Sequence, residues 1–299
     1  VRVAFVTTLD PTAIHDDVDL TDQIDAFERA GIDLVQAAWE DDAVIWDSFD
    51  LVVVRSPWNY VEHLGDFRRW LSDRSSLGTF HNPTAVIEWN MDKRYLRDLA
   101  ARGVPVVPTE FPEDLAEAER AIDAFDAPEV VVKPVVSAGS RLTGRFARGS
   151  AGARDLMARI IDGGGSVMVQ PYASRIEGDG EIGTVVFDGH ASHSFRKDAI
   201  LDRDGGLWGG EYREQITAVV PPPDVLDVVE RACLVAETIA VEREWIGAGT
   251  HLLYGRFDVI RLDDGDPALL EAELFEPCFF LPTAPGAADR FAAAVRKRV

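Results

Sequence analysis

Residues 255–280 read GRFDVIRLDDGDPALLEAELFEPCFF. Two apolar, partly alternating runs flank Asp264-Gly265, a two-residue hairpin signal. Counting outward from that turn in antiparallel register sets Asp258 opposite Glu271 and Arg256 opposite Glu273. Strand side chains alternate with period two, so Arg256 and Asp258 share a face, and so do Glu271 and Glu273. Three carboxylates and one guanidinium are therefore expected on one patch. Carboxylates this close repel unless a cation joins them. Their hard oxygens suit Mg²⁺, which also takes phosphate oxygens and water. The same pattern fits an acidic, solvated strand face, and Pro267, which cannot donate to a ladder, disturbs the register.

The chain has 299 residues, a length prior of about two domains, and an ordinary share of apolar residues. Its formal net charge of −22 argues against sequence-independent nucleic-acid binding and against docking on anionic membranes. Two cysteines, Cys233 and Cys278, make neither a disulfide framework nor a zinc pattern, which suggests a reducing compartment. The opening VRVAFVTTLD is too short for a signal peptide, and no run reaches the ~18 apolar residues of a membrane span. The expectation is a cytoplasmic enzyme that meets an anionic substrate with a few placed cations.

Strands are expected at 1–7, 32–39 and 51–54, with helices at 21–30 and 63–71 between and after them. Such alternation implies an open parallel sheet, whose ligands bind beyond the C-terminal strand ends. Arg55-Ser56-Pro57-Trp58-Asn59-Tyr60 sits at one of those ends and offers a cation, a hydroxyl, an amide and aromatics. A loop anchored by a buried Trp accounts for it equally well. No GxGxxG follows the first strand. Asn82-Pro83 breaks the chain, and Asp92 to Arg102 is expected as one helix. Glu129 to Val136 places Lys133 inside a valine strand; lysine is almost never buried unpaired, so an edge position with a snorkelling stem is the alternative. The following loop, with Ser137, Gly139 and Ser140, lets backbone N–H groups approach an anion, but is not a Walker P-loop.

The strand 167–172 leads into a polar loop with Glu177 and Glu181, then a hairpin about Asp188-Gly189 that ends at Arg196-Lys197. Residues 198–210 form a long polar stretch of the kind used for functional loops. Leu226 to Val241 is an amphipathic helix that takes Cys233 into the core. His193 reads as a structural histidine. Cys278, with no base nearby in sequence, reads as a packed thiol rather than a nucleophile.

The order DKRYL (92–96), VVVKP (130–134), a Gly/Ser loop, MVQPY (168–172), Gly-Glu at 180–181, RxD at 256–258 and ExE at 271–273 resembles the ATP-grasp superfamily of carboxylate–amine ligases across nearly the whole chain. The resemblance implies a three-lobed α/β ATP-grasp fold: a Rossmann-like N-terminal lobe (1–82), a central lobe (83–172) and a C-terminal lobe (173–299), with ATP between the last two. It implies that Lys93 and Lys133 contact the nucleotide, with Ser137, Gly139 and Ser140 as loop contacts. Gln170 to Ala173, including Tyr172, would form the adenine hinge. Glu181 would hold the ribose, with Glu177 as second choice. Lys197 would reach the phosphates, and Arg256 would stabilise charge at the transferring group. Asp258, Glu271 and Glu273 would bind Mg²⁺; many members carry asparagine at the last position, so Glu273 is a departure.

RSPWNY, NMDKRYL, GVPVVPT and EAELFEP are similar to those of a narrower bacterial subgroup, the O-ureido-D-serine cyclo-ligases of D-cycloserine biosynthesis. That resemblance implies phosphorylation of a substrate carboxylate, then attack on the acyl phosphate by a nitrogen of the same molecule, with loss of CO₂ and NH₃. Arg55, Ser56, Asn59, Tyr60 and Gly210 are the expected contacts of the amino-acid-like substrate. An intermolecular amide ligase uses the same nucleotide site, and a non-catalytic nucleotide binder has no need of all four of Arg256, Asp258, Glu271 and Glu273. The sequence leaves the oligomeric state open, a homo-oligomer included.

Overall fold

The computed structural model describes residues 1–14, 17–202 and 215–299. Three sheets carry the chain. The first is parallel, in the order β2-β1-β3, from β1 (Arg2–Thr7), β2 (Asp33–Ala38) and β3 (Leu51–Val54). Helices α1 (Pro11–Ile14), α2 (Leu20–Arg29) and α3 (Leu64–Asp73) accompany it. The wholly apolar β3 is buried along its length although it ends the sheet order, with Phe80 bridged to Val52 on its outer side.

Asn82-Pro83 does not simply break the chain. It leads into α4 (Thr84–Met91), a helix absent from the sequence reading, whose Val86, Ile87, Asn90 and Met91 are buried. The helix expected from Asp92 begins only at α5 (Tyr95–Ala100). Asp92 takes an extended conformation that ends α4, and the Lys93 N–H bonds Val135 O at 3.1 Å. Lys93 therefore sits in a joint between helices, pinned to the end of a strand.

That strand is β4 (Glu129–Pro134), the centre of an antiparallel sheet β5-β4-β6 with β5 (Gly144–Ala147) and β6 (Val167–Pro171). The edge position considered for Lys133 is thus excluded. Helices α6 (Leu115–Ala124) and α7 (Ala151–Asp162) cover one face, over a core of their own that includes Val130, Val132, Val167 and Val169. Asp114 and Ser150 cap these helices, accepting from the N–H of Glu117 and of Ala153.

The third sheet, β11-β10-β7-β8-β9, is antiparallel. It comprises β7 (Glu181–Phe187), β8 (His190–Lys197), β9 (Ile216–Val219), β10 (Tyr254–Arg261) and β11 (Pro267–Glu273), with the short α8 (Ile176–Asp179) ahead of it. Helix α9 (Pro223–Glu242) packs on β10 and β11, in a core shared with Tyr95, Leu96 and Leu99 of α5. Helix α10 (Ala287–Arg296) crosses back to the first sheet, where Phe291 meets Phe5 and Phe27. The cores therefore tie residues 84–107 to the third sheet and the C-terminus to the first. Among the described residues no helix is long and apolar enough to cross a membrane.

The expected pairing at the hairpin holds: Asp258 faces Glu271 and Arg256 faces Glu273. It holds through two compensating departures. The turn is not the two-residue loop read from Asp264-Gly265, because Leu262 N–H bonds Asp266 O and three residues lie between. That shifts the ladder by one, so Val259 meets Leu269, and a bulge beside Asp258 restores it.

β11 is an edge strand whose outward backbone groups are met by side chains toward its C-terminal end and by backbone at Leu269. Ala272 N–H donates to Tyr95 Oη at 2.8 Å, and Ala272 O accepts from Asn90 Nδ2 at 2.8 Å. Leu274 N–H donates to Asn90 Oδ1 at 2.7 Å, and Leu274 O accepts from Asn82 Nδ2 at 2.6 Å. Further along, Leu269 exchanges bonds with Pro105 O and Val107 N–H. The strand bearing Glu271 and Glu273 is thus locked in register from its outer side.

Candidate active site between the central and C-terminal sheets

A cleft of about 1200 Å³ opens between the β5-β4-β6 sheet and the β10–β11 hairpin. Because β4 alternates, Val130 and Val132 face α6 and α7, while Val131 and Lys133 line the cleft. Val107, Ile260 and Leu270 add apolar wall, and Gln170, Tyr172 and Ala173 follow along its rim. Gln170 donates to Thr109 Oγ1 at 2.9 Å, and the Tyr172 ring lies 3.6 Å under the Arg145 guanidinium. This is a flat apolar slot with backbone at its edge.

At its polar end the cleft gathers charge from six segments. Lys93 Nζ lies 2.9 Å from Glu271 and donates to Ser137 O at 3.0 Å. Lys197, at the end of β8, bonds Glu181 and lies 3.0 Å from Asp258 Oδ2. Arg256 donates to Asp258 at 2.8 Å, to Glu273 at 2.5 Å and to Cys278 O at 3.0 Å. Gly183, on β7 across from Asp258, leaves room for this: a Cβ there would stand 2.8 Å from Asp258 Oδ1. Burial works against the Asp258 carboxylate, but Arg256 and Lys197 hold it well below the usual range. Burial likewise opposes Glu271, and Lys93 and Lys133 bring it down. Glu181 and Glu273 go the other way; burial pushes each up to about 7, against the pull of Lys197 and Arg256 respectively. Burial lowers Lys133, which makes no hydrogen bond and no close ion pair with a described residue.

The residues expected at the site divide cleanly. Lys93, Lys133, Ser137, Gly139, Ser140, Gln170, Tyr172, Ala173, Glu181, Lys197, Arg256, Asp258, Glu271, Glu273 and Tyr60 all line the one cleft. Gly139 and Ser140 have left-handed backbone, which turns their loop over its mouth. Glu177 lies outside it, half exposed and bonded to Arg145. Arg55, Ser56 and Asn59 do not line it either. Arg55 is 1% exposed beneath the cleft, donating to Pro277 O at 2.9 Å and facing Asp19 and the Phe279 ring. Asn59 is taken up by Trp39 Nε1 and Glu40. Gly210 and the rest of the expected 198–210 loop from residue 203 onward lie outside the described residues. His193 is structural, its Nε2 2.7 Å from Phe279 O, and burial pushes the Cys278 thiol well up.

The metal expectation meets a mixed result. Asp258, Glu271 and Glu273 share one wall, yet cations stand between them. Among the described residues no three carboxylate, histidine or cysteine side chains close into a metal-holding group. The donor chemistry still fits a hard divalent cation, since all three offer carboxylate oxygen.

Sequence reasoning passed over Glu276. It lines the cleft, is 9% exposed, and accepts from the Tyr60 hydroxyl at 2.5 Å. Its only sequence signal was membership of the EAELFEP run.

A sequence profile for the N-terminal domain of D-cycloserine synthetase DcsG matches residues 3–82. The cycloserine biosynthesis protein DcsG of Streptomyces lavendulae is 34% identical over 308 residues, covering 99% of this chain and 98% of that protein. The crystal structure of D-cycloserine synthetase DcsG superposes with a TM-score of 0.89 at 32% identity, over 100% of both chains. The D-alanine–D-alanine ligase of Bacillus anthracis shares the fold, with a TM-score of 0.71 at 15% identity over 99% of this chain and 96% of that one.

Proposed function

The chain belongs to the D-cycloserine synthetase family, with the ATP-grasp ligase fold, and from that membership and the cleft's geometry we propose how it acts. It is an ATP-dependent ligase that forms a C–N bond in cycloserine biosynthesis. The reaction proposed is ring closure of O-ureido-D-serine to D-cycloserine, with one water consumed as the carbamoyl group is lost and ADP, phosphate, CO₂ and NH₃ released.

The observation that carries the nucleotide reading is Lys133. A lysine buried on a cleft wall with no ion-pair partner among the described residues is costly unless a ligand supplies the anion. A nucleotide phosphate does so, with the base in the apolar slot and the ribose hydroxyls on Glu181. Lys93 and Lys197 flank Lys133 and neutralise charge on the transferring phosphoryl group. Asp258, Glu271 and Glu273 would hold Mg²⁺, which supplies Lewis-acid neutralisation of phosphoryl oxygens when bound. Arg256, fixed by Asp258 and Glu273, is aimed by its partners and stabilises the oxyanion formed at the acyl carbon. Nucleophile and electrophile belong to one molecule, so proximity is built into the substrate.

Incubation with MgATP and O-ureido-D-serine as sole carbon substrate should give ADP and D-cycloserine in equal amounts, read by mass spectrometry. ADP formation only when a separate amine is added would replace ring closure with intermolecular ligation. No ADP with any carboxylate–amine pair would sink the ligase reading.

A further inference from the structure

Six described carboxylates line the cleft, and five already face a cation. Glu181 has Lys197, Asp258 has Arg256 and Lys197, Glu271 has Lys93, Glu273 has Arg256, and Asp198 has Arg196. Glu276 is the exception. Its one hydrogen-bond partner is the neutral Tyr60 hydroxyl on Oε1, while Oε2 is fully buried with no partner among the described residues. A buried carboxylate oxygen in that state is expensive, and its position on the wall of a ligand cleft says what relieves it.

The surroundings fix its orientation. Trp58 Nε1 donates to Glu276 O at 3.1 Å, and Arg55 holds Pro277 O at 2.9 Å, so backbone and side chain are both tied to the first sheet. Glu276 follows Glu273 by three residues, at most about 10 Å of extended chain. That is within the span of one small amino acid bound in the cleft. The charged groups facing it are Glu273 and Glu271 from β11 and Lys93 from the α4–α5 joint. The two carboxylates disfavour an anionic ligand group there and favour a cationic one.

We propose that Glu276 binds the α-ammonium group of the amino-acid substrate, with Tyr60 holding the carboxylate in place. The assignment rests on the substrate reading above and makes Glu276 a specificity-determining residue for it. Burial pushes the empty carboxyl up to about 8, and a bound ammonium supplies the charge that returns it to the ionised form.

The test compares O-ureido-D-serine with its des-amino analogue, 3-[(carbamoylamino)oxy]propanoate, in the wild type and in Glu276→Gln. The wild type should favour the amine-bearing compound by about 10- to 100-fold in kcat/KM, the range of one charge-assisted hydrogen bond. In E276Q the preference should collapse to within about threefold, with the KM for ATP unchanged. An equal fall for both compounds, or no preference in the wild type, would overturn the assignment. A wild type that turns over neither compound, yet releases ADP with another amino acid and amine, would overturn the substrate reading and this assignment with it. Tyr60→Phe, which keeps the carboxylate but frees it, should lose part of the preference. Full preference in Y60F would remove Tyr60 from the arrangement, and serves as the check if E276Q does not fold.

Discussion

Replacing Asn90 by Ala should unfasten the edge strand β11. The amide of Asn90 reaches two buried backbone groups of β11, Ala272 O at 2.8 Å and Leu274 N–H at 2.7 Å. Both residues are no more than 2% exposed. Each stranded group costs about 1–3 kcal/mol. Taking the middle of that range twice gives about 4 kcal/mol, reduced toward 3 if water enters the space left by the amide. At about 2 °C per kcal/mol for a chain of this size, the melting temperature should fall by about 6–8 °C. Asn90→Leu, which keeps the volume, should fall as far, because the loss is of hydrogen bonds rather than packing. Asn90→Asp should also fall, since its carboxylate accepts from Leu274 N–H but faces Ala272 O. Differential scanning fluorimetry of the three variants reads the shifts. A drop below about 2 °C in both N90A and N90L would refute the claim that the side-chain clamp, rather than the β10 ladder, keeps Glu271 and Glu273 in register.

Asp258→Asn should lower kcat by about 10- to 100-fold and also lower the melting temperature, because it loosens both Arg256 and Lys197 and leaves two buried cations short of a counter-charge; coupled ADP release and thermal melts measure it. Lys133→Met should raise the KM for ATP by about tenfold or more while leaving the fold intact, checked by nucleotide titration. Chelation should abolish ADP release, and Mg²⁺ should restore it, tested by dialysis against chelator and add-back. His81 gives a pH dependence. Burial, then the nearby Arg298, push its folded pKa down to about 4, against about 6.5 when unfolded. Between those values the unfolded chain binds the extra proton. Stability should therefore be complete above pH 6.5 and fall by up to about 2–3 kcal/mol as the pH drops to 4, after allowance for the ring's partial exposure. Urea midpoints of wild type and His81→Gln across that window should converge as the pH falls.

The β10–β11 hairpin was legible in the sequence because period-two alternation around a turn fixes which side chains are neighbours. Its details were not. A three-residue turn and a bulge cancel, and only the pairing beyond the bulge survived in the reading. Helix α4 escaped because its apolar residues run around the helix instead of along one stripe, which is what burial on several sides produces. β5 is four residues after a glycine-containing loop, too short to show alternation. Arg55 misled for a different reason. An arginine after a parallel strand marks the ligand end of a sheet, but the sequence does not say whether it points into the cleft or under it. Glu276 escaped because a lone glutamate past a strand end looks solvated; only the packing of Tyr60 and Trp58 around it shows otherwise.

The grip of the first sheet on the segment after β11 has a mechanical consequence. Asp19 accepts from the N–H of Phe279 and Leu281, Arg55 holds Pro277, and Tyr254 Oη lies 2.6 Å from Val54 O. The first and third sheets thereby form one anvil, carrying Arg256, Asp258, Glu271, Glu273 and Glu276 together. The β5-β4-β6 sheet with α6 and α7 has its own core, and meets the core of α5, α9 and β11 through Val135 and Met168. Lys133 is therefore carried by a different core from Arg256 and Glu276. A shift of the β5-β4-β6 sheet against the other two would change the Lys133 side of the cleft and leave the spacing of Arg256 and Glu276 as it is.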